Sequence, residues 1–286
     1  MRKYIFVISF FLFFSCSSKR VIECKNNYCD QEKVNQLVKL YEENLGRAKE
    51  LLSPDGWITP NSCDGMLWSS KYGAIDCNSF SPEAAERDYG RFGRRPSPPC
   101  WDGEDKGSKT TWSRDMGIGL IAYAIACKKD GLLLRHIEYG KKHHWMMGFP
   151  VTDLRAFYTP QIRDLLFDSV EYIRGTNDYN RSIEIYPSGL KDYQAHLQVM
   201  SIWIRRHWEG INSLKWERLM EHYTREPYNP FYSYMTSFYK GDLNETIDLL
   251  LDPRMPMSDY VRCDDPKRCK LAEWLFVAGQ VIRELE

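Results

Sequence analysis

The chain has 286 residues, of which 43% are hydrophobic and 27% charged, a composition typical of a globular protein rather than a disordered or collagen-like one. Lysine plus arginine and aspartate plus glutamate each number 39, so the formal net charge is zero. Because a nucleic-acid-binding protein needs a basic face that displaces counterions, this balance argues against nucleic acid as a partner.

The N-terminus has the pattern of an export signal. Arg2 and Lys3 precede an apolar run of 11 residues, Tyr4 to Phe14. A stable transmembrane helix needs about 20 apolar residues, so the run has the length of a signal peptide instead. The segment Phe13-Phe14-Ser15-Cys16 follows the pattern of a small residue before a cysteine.

This ending resembles a bacterial lipobox, with Phe13 where leucine is usual. The resemblance implies that residues 1–15 are a lipoprotein signal peptide and that Cys16 carries acyl chains such as palmitate. Residues 16–29 are then a tether, and residues 30–286 a single helical domain in the cell envelope, lipid-anchored to a membrane and extracytoplasmic. The alternative is an ordinary secretory signal peptide that is cleaved near Ser15 or Ser17.

Eight further cysteines, an even number in an exported chain, indicate disulfide bonds. They are Cys24, Cys29, Cys63, Cys77, Cys100, Cys127, Cys263 and Cys269. The first two and the last two are close enough in sequence to close small loops. Any two of the next three can pair, and Cys127 is either a buried thiol or their fourth partner. No Cys-x-x-Cys pair or histidine at ligand spacing accompanies them, so no metal is predicted.

Apolar residues at three- and four-residue steps predict about ten helices and no convincing strand. In chain order the predicted helices begin near Gln31, Asp64, Ser81, Ser113, Leu132, Gln161, Asp192, Leu214, Phe231, Leu243 and Leu271. The helices after Ser113 and Asp192 are strongly apolar, which predicts burial among other helices, whereas the first helix has one apolar face. Residues 94–108 are expected to form a long surface loop.

This all-α pattern of buried and amphipathic helices in hairpins resembles the α/α toroid, the six-hairpin architecture of many carbohydrate-active enzymes. The resemblance covers residues 30–285, and an irregular helical bundle is the competing fold. The stretch 111–117 is similar to the Trp-x-Arg-Gly-x-Gly segment of unsaturated glucuronyl hydrolase-type enzymes. Trp112 and Arg114 match this segment, and Asp115 stands where it has glycine.

Asp64 and Asp115 are the candidate catalytic residues. Each lies at the start of a helix that then becomes apolar, and in a toroid the inner helices begin at one mouth. Two carboxylates there have the chemistry of a general acid and base acting on a glycosidic bond. The alternative is helix capping with an internal ion pair, such as Asp115 with Arg114 or Arg163.

Five residues are candidates for substrate binding. Trp68 and Trp112 are predicted to stack on sugar faces, and Arg114 to pair with an acidic substrate group. Arg163 and His196 are expected to join the same mouth, with His196 as an acid, base or hydrogen-bond donor. For the tryptophans and His196 the alternative is an ordinary place in the core.

The predicted function is that of a membrane-anchored carbohydrate-active enzyme, a glycoside hydrolase or polysaccharide lyase. The alternative is a non-catalytic envelope lipoprotein that binds glycan or a protein partner. No cofactor is predicted, because no phosphate-binding loop, nucleophile elbow or His-Glu-x-x-His segment occurs, and residues 102–107 match a calcium loop poorly. The oligomeric state stays open.

Overall fold

α-Helices make up most of the computed structural model, which describes residues 22, 29–96, 100, 111–149, 154–176, 192–209, 213–255 and 265–286. These residues contain ten helices: α1 (Gln31–Leu51), α2 (Gly65–Gly73), α3 (Arg114–Cys127), α4 (Asp130–Lys142), α5 (Pro160–Arg174), α6 (Asp192–Arg205), α7 (Ser213–Arg225), α8 (Pro230–Lys240), α9 (Asn244–Leu251) and α10 (Pro266–Leu285). The prediction of an all-α protein is confirmed. The predicted signal peptide with Cys16, and most of the predicted 94–108 loop, lie outside the described residues.

A short antiparallel hairpin stands between α2 and α3. Its strands, β1 (Glu86–Asp88) and β2 (Arg91–Phe92), have three and two residues. Gly90 at the turn has a φ of +80°, a conformation that glycine adopts without strain. The sequence shows no convincing strand here, because so short a hairpin has no alternating pattern by which it could be recognised. The helix predicted near Ser81 is a single 3₁₀ turn, Pro82–Ala85, since β1 follows at once.

The helices fall into two classes by burial. Helices α2, α3, α6, α8 and α10 are buried on nearly all sides, whereas α1, α4, α5, α7 and α9 bury one face. In α3 every residue from Met116 to Ile125 is buried, as expected of a helix without a polar side. In α1 the buried residues include Val34, Leu37 and Ala48, and Asp30 caps its start by accepting from the Glu32 and Lys33 amides.

The five buried helices contact one another in a closed ring, in the order α2, α3, α6, α8, α10 and back to α2. Helices α2 and α3 run in the same direction. Near their starts, a Cβ added at Gly119 would come within 2.9 Å of the Leu67 Cα, and beyond α2 a disulfide joins Cys77 to Cys127 at the end of α3. The starts of α2 and α3 therefore lie at the same end of the ring, which we call the start end.

The remaining ring helices run in this direction too. At the start of α10, Arg268 Nη1 lies 3.3 Å from the carbonyl oxygen of Ile58, which precedes α2. At its far end, Arg283 Nη2 lies 3.2 Å from the carbonyl oxygen of Ala74, which follows α2. Helix α6 is aligned with α10 because His196 near its start lies by Glu273, whereas Arg206 just after its end pairs with Glu284. Helix α8 is aligned in the same way, since Phe231 at its start contacts Phe276 and Tyr234, further along, contacts Glu284.

The amphipathic helices cover this ring from outside. Helix α4 returns against α3 after only two residues, and α7 opposes α8, because Trp216 near the start of α7 packs on Tyr239 near the end of α8. Helix α5 runs in the ring direction but lies against α3, α4 and α6. The toroid stays a prediction: six hairpins contain twelve helices, and the described residues supply ten.

Disulfide bonds hold the two ends of the α2–α3 region. Cys63 pairs with Cys100 before the two helices, and Cys77 pairs with Cys127 after them. Cys127 is thus the fourth partner of its group and not a buried thiol. Cys29 and Cys269 are also disulfide-bonded. The predicted small loops of Cys24 and Cys263 lie outside the described residues.

Candidate functional site

Asp64 lies at the start end of the ring and is held by Arg94. The Arg94 Nη1 atom lies 3.1 Å from Asp64 Oδ1 and donates to the Cys63 carbonyl oxygen at 3.0 Å. The Arg94 side chain is 6% exposed and that of Asp64 26%, so the carboxylate is the part that reaches solvent. Its oxygens make no hydrogen bond to the first amides of α2, so capping does not account for this residue.

Asp115 lies half-buried in the first turn of α3, also at the start end. Its Oδ1 atom accepts a hydrogen bond from the Ser113 hydroxyl. Arg114 donates instead to two backbone carbonyls, from Nε to Phe157 at 3.3 Å and from Nη2 to Leu154 at 2.9 Å. In the described part of the chain Asp115 therefore has a neutral partner, and the suggested ion pair with Arg114 is not observed.

Arg163 is positioned by an aromatic ring rather than by a carboxylate. It lies in the first turn of α5, and its guanidinium carbon is 5.4 Å from the centre of the Trp145 ring. Such a contact stabilises the cation. The suggested ion pair of Arg163 with Asp115 is not seen among the described residues either.

Trp112 belongs to a buried hydrogen-bonded network. Its Nε1 atom donates to the Tyr158 hydroxyl at 3.0 Å, that hydroxyl lies 2.9 Å from His136 Nε2, and His136 Nδ1 lies 2.7 Å from the Gly90 carbonyl oxygen. A carbonyl only accepts, so Nδ1 carries the proton and Nε2 accepts from Tyr158. Burial lowers the pKa of His136 to about 4, which keeps the imidazole neutral near neutral pH.

His196 lies inside the ring, in a cluster with two charged groups. The Lys71 Nζ atom of α2 forms a buried ion pair with Glu273 Oε2 of α10 and lies 2.7 Å from His196 Nε2 of α6. An ammonium group has no lone pair, so Lys71 donates and His196 Nε2 accepts, which puts the ring proton on Nδ1. All three side chains are buried.

Three aromatic rings surround the Lys71 ammonium. The ring centres of Trp68, Phe231 and Phe276 lie 4.9, 5.4 and 5.8 Å from Nζ. Burial lowers the pKa of Lys71, and the charge of Glu273 opposes that effect. Burial and the neighbouring Lys71 charge also lower the pKa of His196. We call Lys71, His196, Glu273 and these three rings the central cage.

Sequence reasoning singled out His196 and Trp68 but missed Lys71 and Glu273. The missed signal is a lone charged residue in an uncharged stretch: Lys71 follows the uncharged residues Met66 to Ser70, and Glu273 lies in the apolar centre of α10. A charge in such a place needs a buried partner. Trp68 and Trp112 are both buried, so stacking on a sugar stays a prediction that requires neighbouring side chains to move.

Exposed apolar side chains gather beside the start of α3. Phe149 is 40% exposed and Leu154 70%. Thr111 fixes Phe149 through two hydrogen bonds of 2.8 Å, and the Arg91 guanidinium carbon lies 5.4 Å from the Phe149 ring centre. Tyr89, 66% exposed, lies on the same hairpin as Arg91. We call these three side chains the apolar rim: Phe149 and Leu154 lie beside the start of α3, and Tyr89 lies on the hairpin that contacts Phe149 through Arg91.

Metal binding and membrane spanning find no support in the residues that the structure describes. No three histidine, cysteine, aspartate or glutamate side chains there gather as a metal site. No helix in the described ranges combines the length and the apolar character needed to cross a bilayer. No protein-family model, curated protein or solved structure matches the chain. Its function is therefore argued from its own geometry.

Proposed function

We propose that this protein is a lipid-anchored, extracytoplasmic, carbohydrate-active enzyme, a glycoside hydrolase or polysaccharide lyase that works at the start end of its helical ring. One observation carries the proposal: α2 and α3 run in the same direction, so Asp64 and Asp115 lie at one end. A pair of carboxylates at one place is what acid–base chemistry on a glycosidic bond requires.

The surroundings of the two carboxylates suggest different roles. The Arg94 guanidinium favours the ionised form of Asp64, which suits a base or a nucleophile. Asp115, whose Oδ1 accepts a hydrogen bond from the Ser113 hydroxyl, is then the remaining carboxylate and takes the role of the acid that protonates the leaving group. A separation of roughly 5–5.5 Å between the carboxyl groups predicts retention of anomeric configuration, and roughly 6.5–9.5 Å predicts inversion.

Substitution of each carboxylate by its amide tests the enzymatic proposal. Asp115→Asn and Asp64→Asn should each abolish turnover of a glycan panel while thermal unfolding shows a folded protein. Asp130→Asn is the matched control: Asp130 also stands at a helix start, in α4, and pairs with Arg174 at 2.9 Å. Turnover that survives in both variants, or falls equally in the control, would exclude Asp64 and Asp115 as the catalytic pair.

The membrane anchor is proposed from the first 16 residues. An apolar run too short to span a bilayer, followed by Ser15-Cys16, supports cleavage before Cys16 and acylation of its thiol. Cells fed labelled palmitate should incorporate the label into the protein, and Cys16→Ser should abolish incorporation and release the chain from the membrane fraction. Cys77→Ser is the matched control and should keep the label. Membrane-bound but unlabelled wild-type protein would contradict acylation.

A binding function without catalysis is the second candidate, and the apolar rim favours it. Phe149, Leu154 and Tyr89 offer exposed surface beside the start of α3, and solvated aromatic rings are suited to sugar faces or to a protein partner. If this alternative holds, Phe149→Ala should weaken glycan binding or partner binding, and Asp115→Asn should change neither. Reducing-end assays on the bound glycans would then show no new chain ends.

A further inference from the structure

The centre of the ring holds a complete set of partners for an ammonium group. Glu273 supplies a carboxylate, and His196 supplies an acceptor nitrogen that lies 2.7 Å from Lys71 Nζ. The three aromatic rings of the central cage present their faces to the ammonium group. We propose that Lys71 is the built-in occupant of an ammonium-binding site at this centre.

The origin of the cage residues supports this inference. Trp68 and Lys71 come from α2, His196 from α6, Phe231 from α8, and Glu273 with Phe276 from α10. Four of the five ring helices thus converge on one cation. Aromatic faces combined with a carboxylate are the chemistry by which proteins recognise alkylammonium groups. The site contains neither of the proposed catalytic residues, Asp64 and Asp115, although Trp68 and His196 are also candidates for substrate binding.

A competing explanation is that Lys71 and Glu273 are an incidental buried pair, which similarly sized neutral side chains would replace without loss. The two explanations differ in what an emptied site does. Lys71→Ala deletes the atoms from Cγ to Nζ, which have the size and charge of n-propylammonium. An ammonium site should bind this cation and be stabilised by it beyond the effect of a neutral molecule of the same size.

Thermal unfolding of the full chain, purified in detergent, tests the proposal. Lys71→Ala should unfold at a lower temperature than the wild type, and n-propylammonium at ten times its Kd should raise the midpoint by roughly 3 °C. Neither 1-propanol, which is neutral, nor sodium chloride at equal ionic strength should do so. Lys141→Ala is the matched control, since Lys141 Nζ lies 5.3 Å from the Phe167 ring centre on an exposed face.

A folded Lys71→Ala protein that ignores n-propylammonium, or responds to it no more than Lys141→Ala does, would overturn the proposal. If Lys71→Ala does not fold, Lys71→Met, Glu273→Gln and the double variant provide a second measurement at nearly constant volume. Each single change leaves one buried charge without its partner, so each should lower the midpoint, and the double change should lower it by less than the sum. Additive losses, or a double variant as stable as the wild type, would overturn the proposal, because the first outcome shows no coupling and the second is what an incidental pair predicts.

Discussion

The Tyr158 hydroxyl joins two buried groups, the Trp112 indole and the His136 imidazole, in one hydrogen-bonded network. It accepts from Trp112 Nε1 and donates to His136 Nε2. Tyr158→Phe keeps the ring and removes only the oxygen, which takes this hydrogen-bond partner away from a buried donor and from a buried acceptor. Each such group costs about 1–3 kcal/mol, so the free energy of unfolding should fall by about 2–6 kcal/mol.

Thermal and urea unfolding of the purified protein measure this loss. A protein of this size loses roughly 2–3 °C in melting temperature per kcal/mol, so the midpoint should fall by roughly 4–18 °C. Tyr89→Phe removes an exposed hydroxyl and should change the free energy of unfolding by less than about 0.5 kcal/mol. If the two variants unfold at the same temperature, the network does not stabilise the fold as argued.

Three further predictions concern the same helices. Gly117→Ala would place a Cβ 1.9 Å from a tyrosine hydroxyl and should lower the free energy of unfolding by about 2 kcal/mol. Gly131→Ala, with open space around the new Cβ, should raise the free energy of unfolding by up to about 1 kcal/mol. Equal urea midpoints for the two variants would contradict this prediction. Burial lowers the pKa of His136 from 6.5 to about 4, so the unfolded chain takes up the proton first, and stability should fall by about 3 kcal/mol as the pH drops through this window. Acid titration of the urea midpoint checks the sign, and His136→Gln should flatten the slope. Replacing both Cys77 and Cys127 by serine should lower the free energy of unfolding by about 3–4 kcal/mol, because their disulfide bond closes a loop across a sequence separation of 50. An unchanged urea midpoint would show that α2 and α3 are held together without this bond.

Much of the helical structure could be predicted because its signals are local. Asp30 before an apolar stripe marked the start of α1, and the run after Ser113 marked a helix buried on all sides. The ring order was not predictable in this way. Helices α2 and α10 are neighbours through contacts such as Arg268 with Ile58, which are 210 residues apart in sequence, and no local pattern encodes such a pairing.

The candidate site, too, could be predicted from the sequence only in part. Asp64 and Asp115 could be singled out because each stands at a predicted helix start. They lie at the same end of the ring because α2 and α3 run in the same direction, which the structure adds. The partner of His196 was not predictable, since Lys71 lies 125 residues away in sequence and its ion pair with Glu273 spans 202. Buried charges are paired by tertiary packing, so a single sequence reveals the charge and not its partner.

The direction of the ring also bears on why carboxylates stand at its start end. Parallel helices place their positive dipole ends together, and a side-chain oxygen is expected there to cap the first amides. Asn229 and Asp265 do so, accepting from the Phe231 amide at 3.0 Å and the Arg268 amide at 3.3 Å. Asp64 does not cap, and its Oδ1 is instead met by a guanidinium nitrogen. Helix stability therefore explains Asn229 and Asp265 but not Asp64. Asp64 lies near the same positive helix ends, and its carboxylate reaches solvent. The proposed chemistry requires this arrangement.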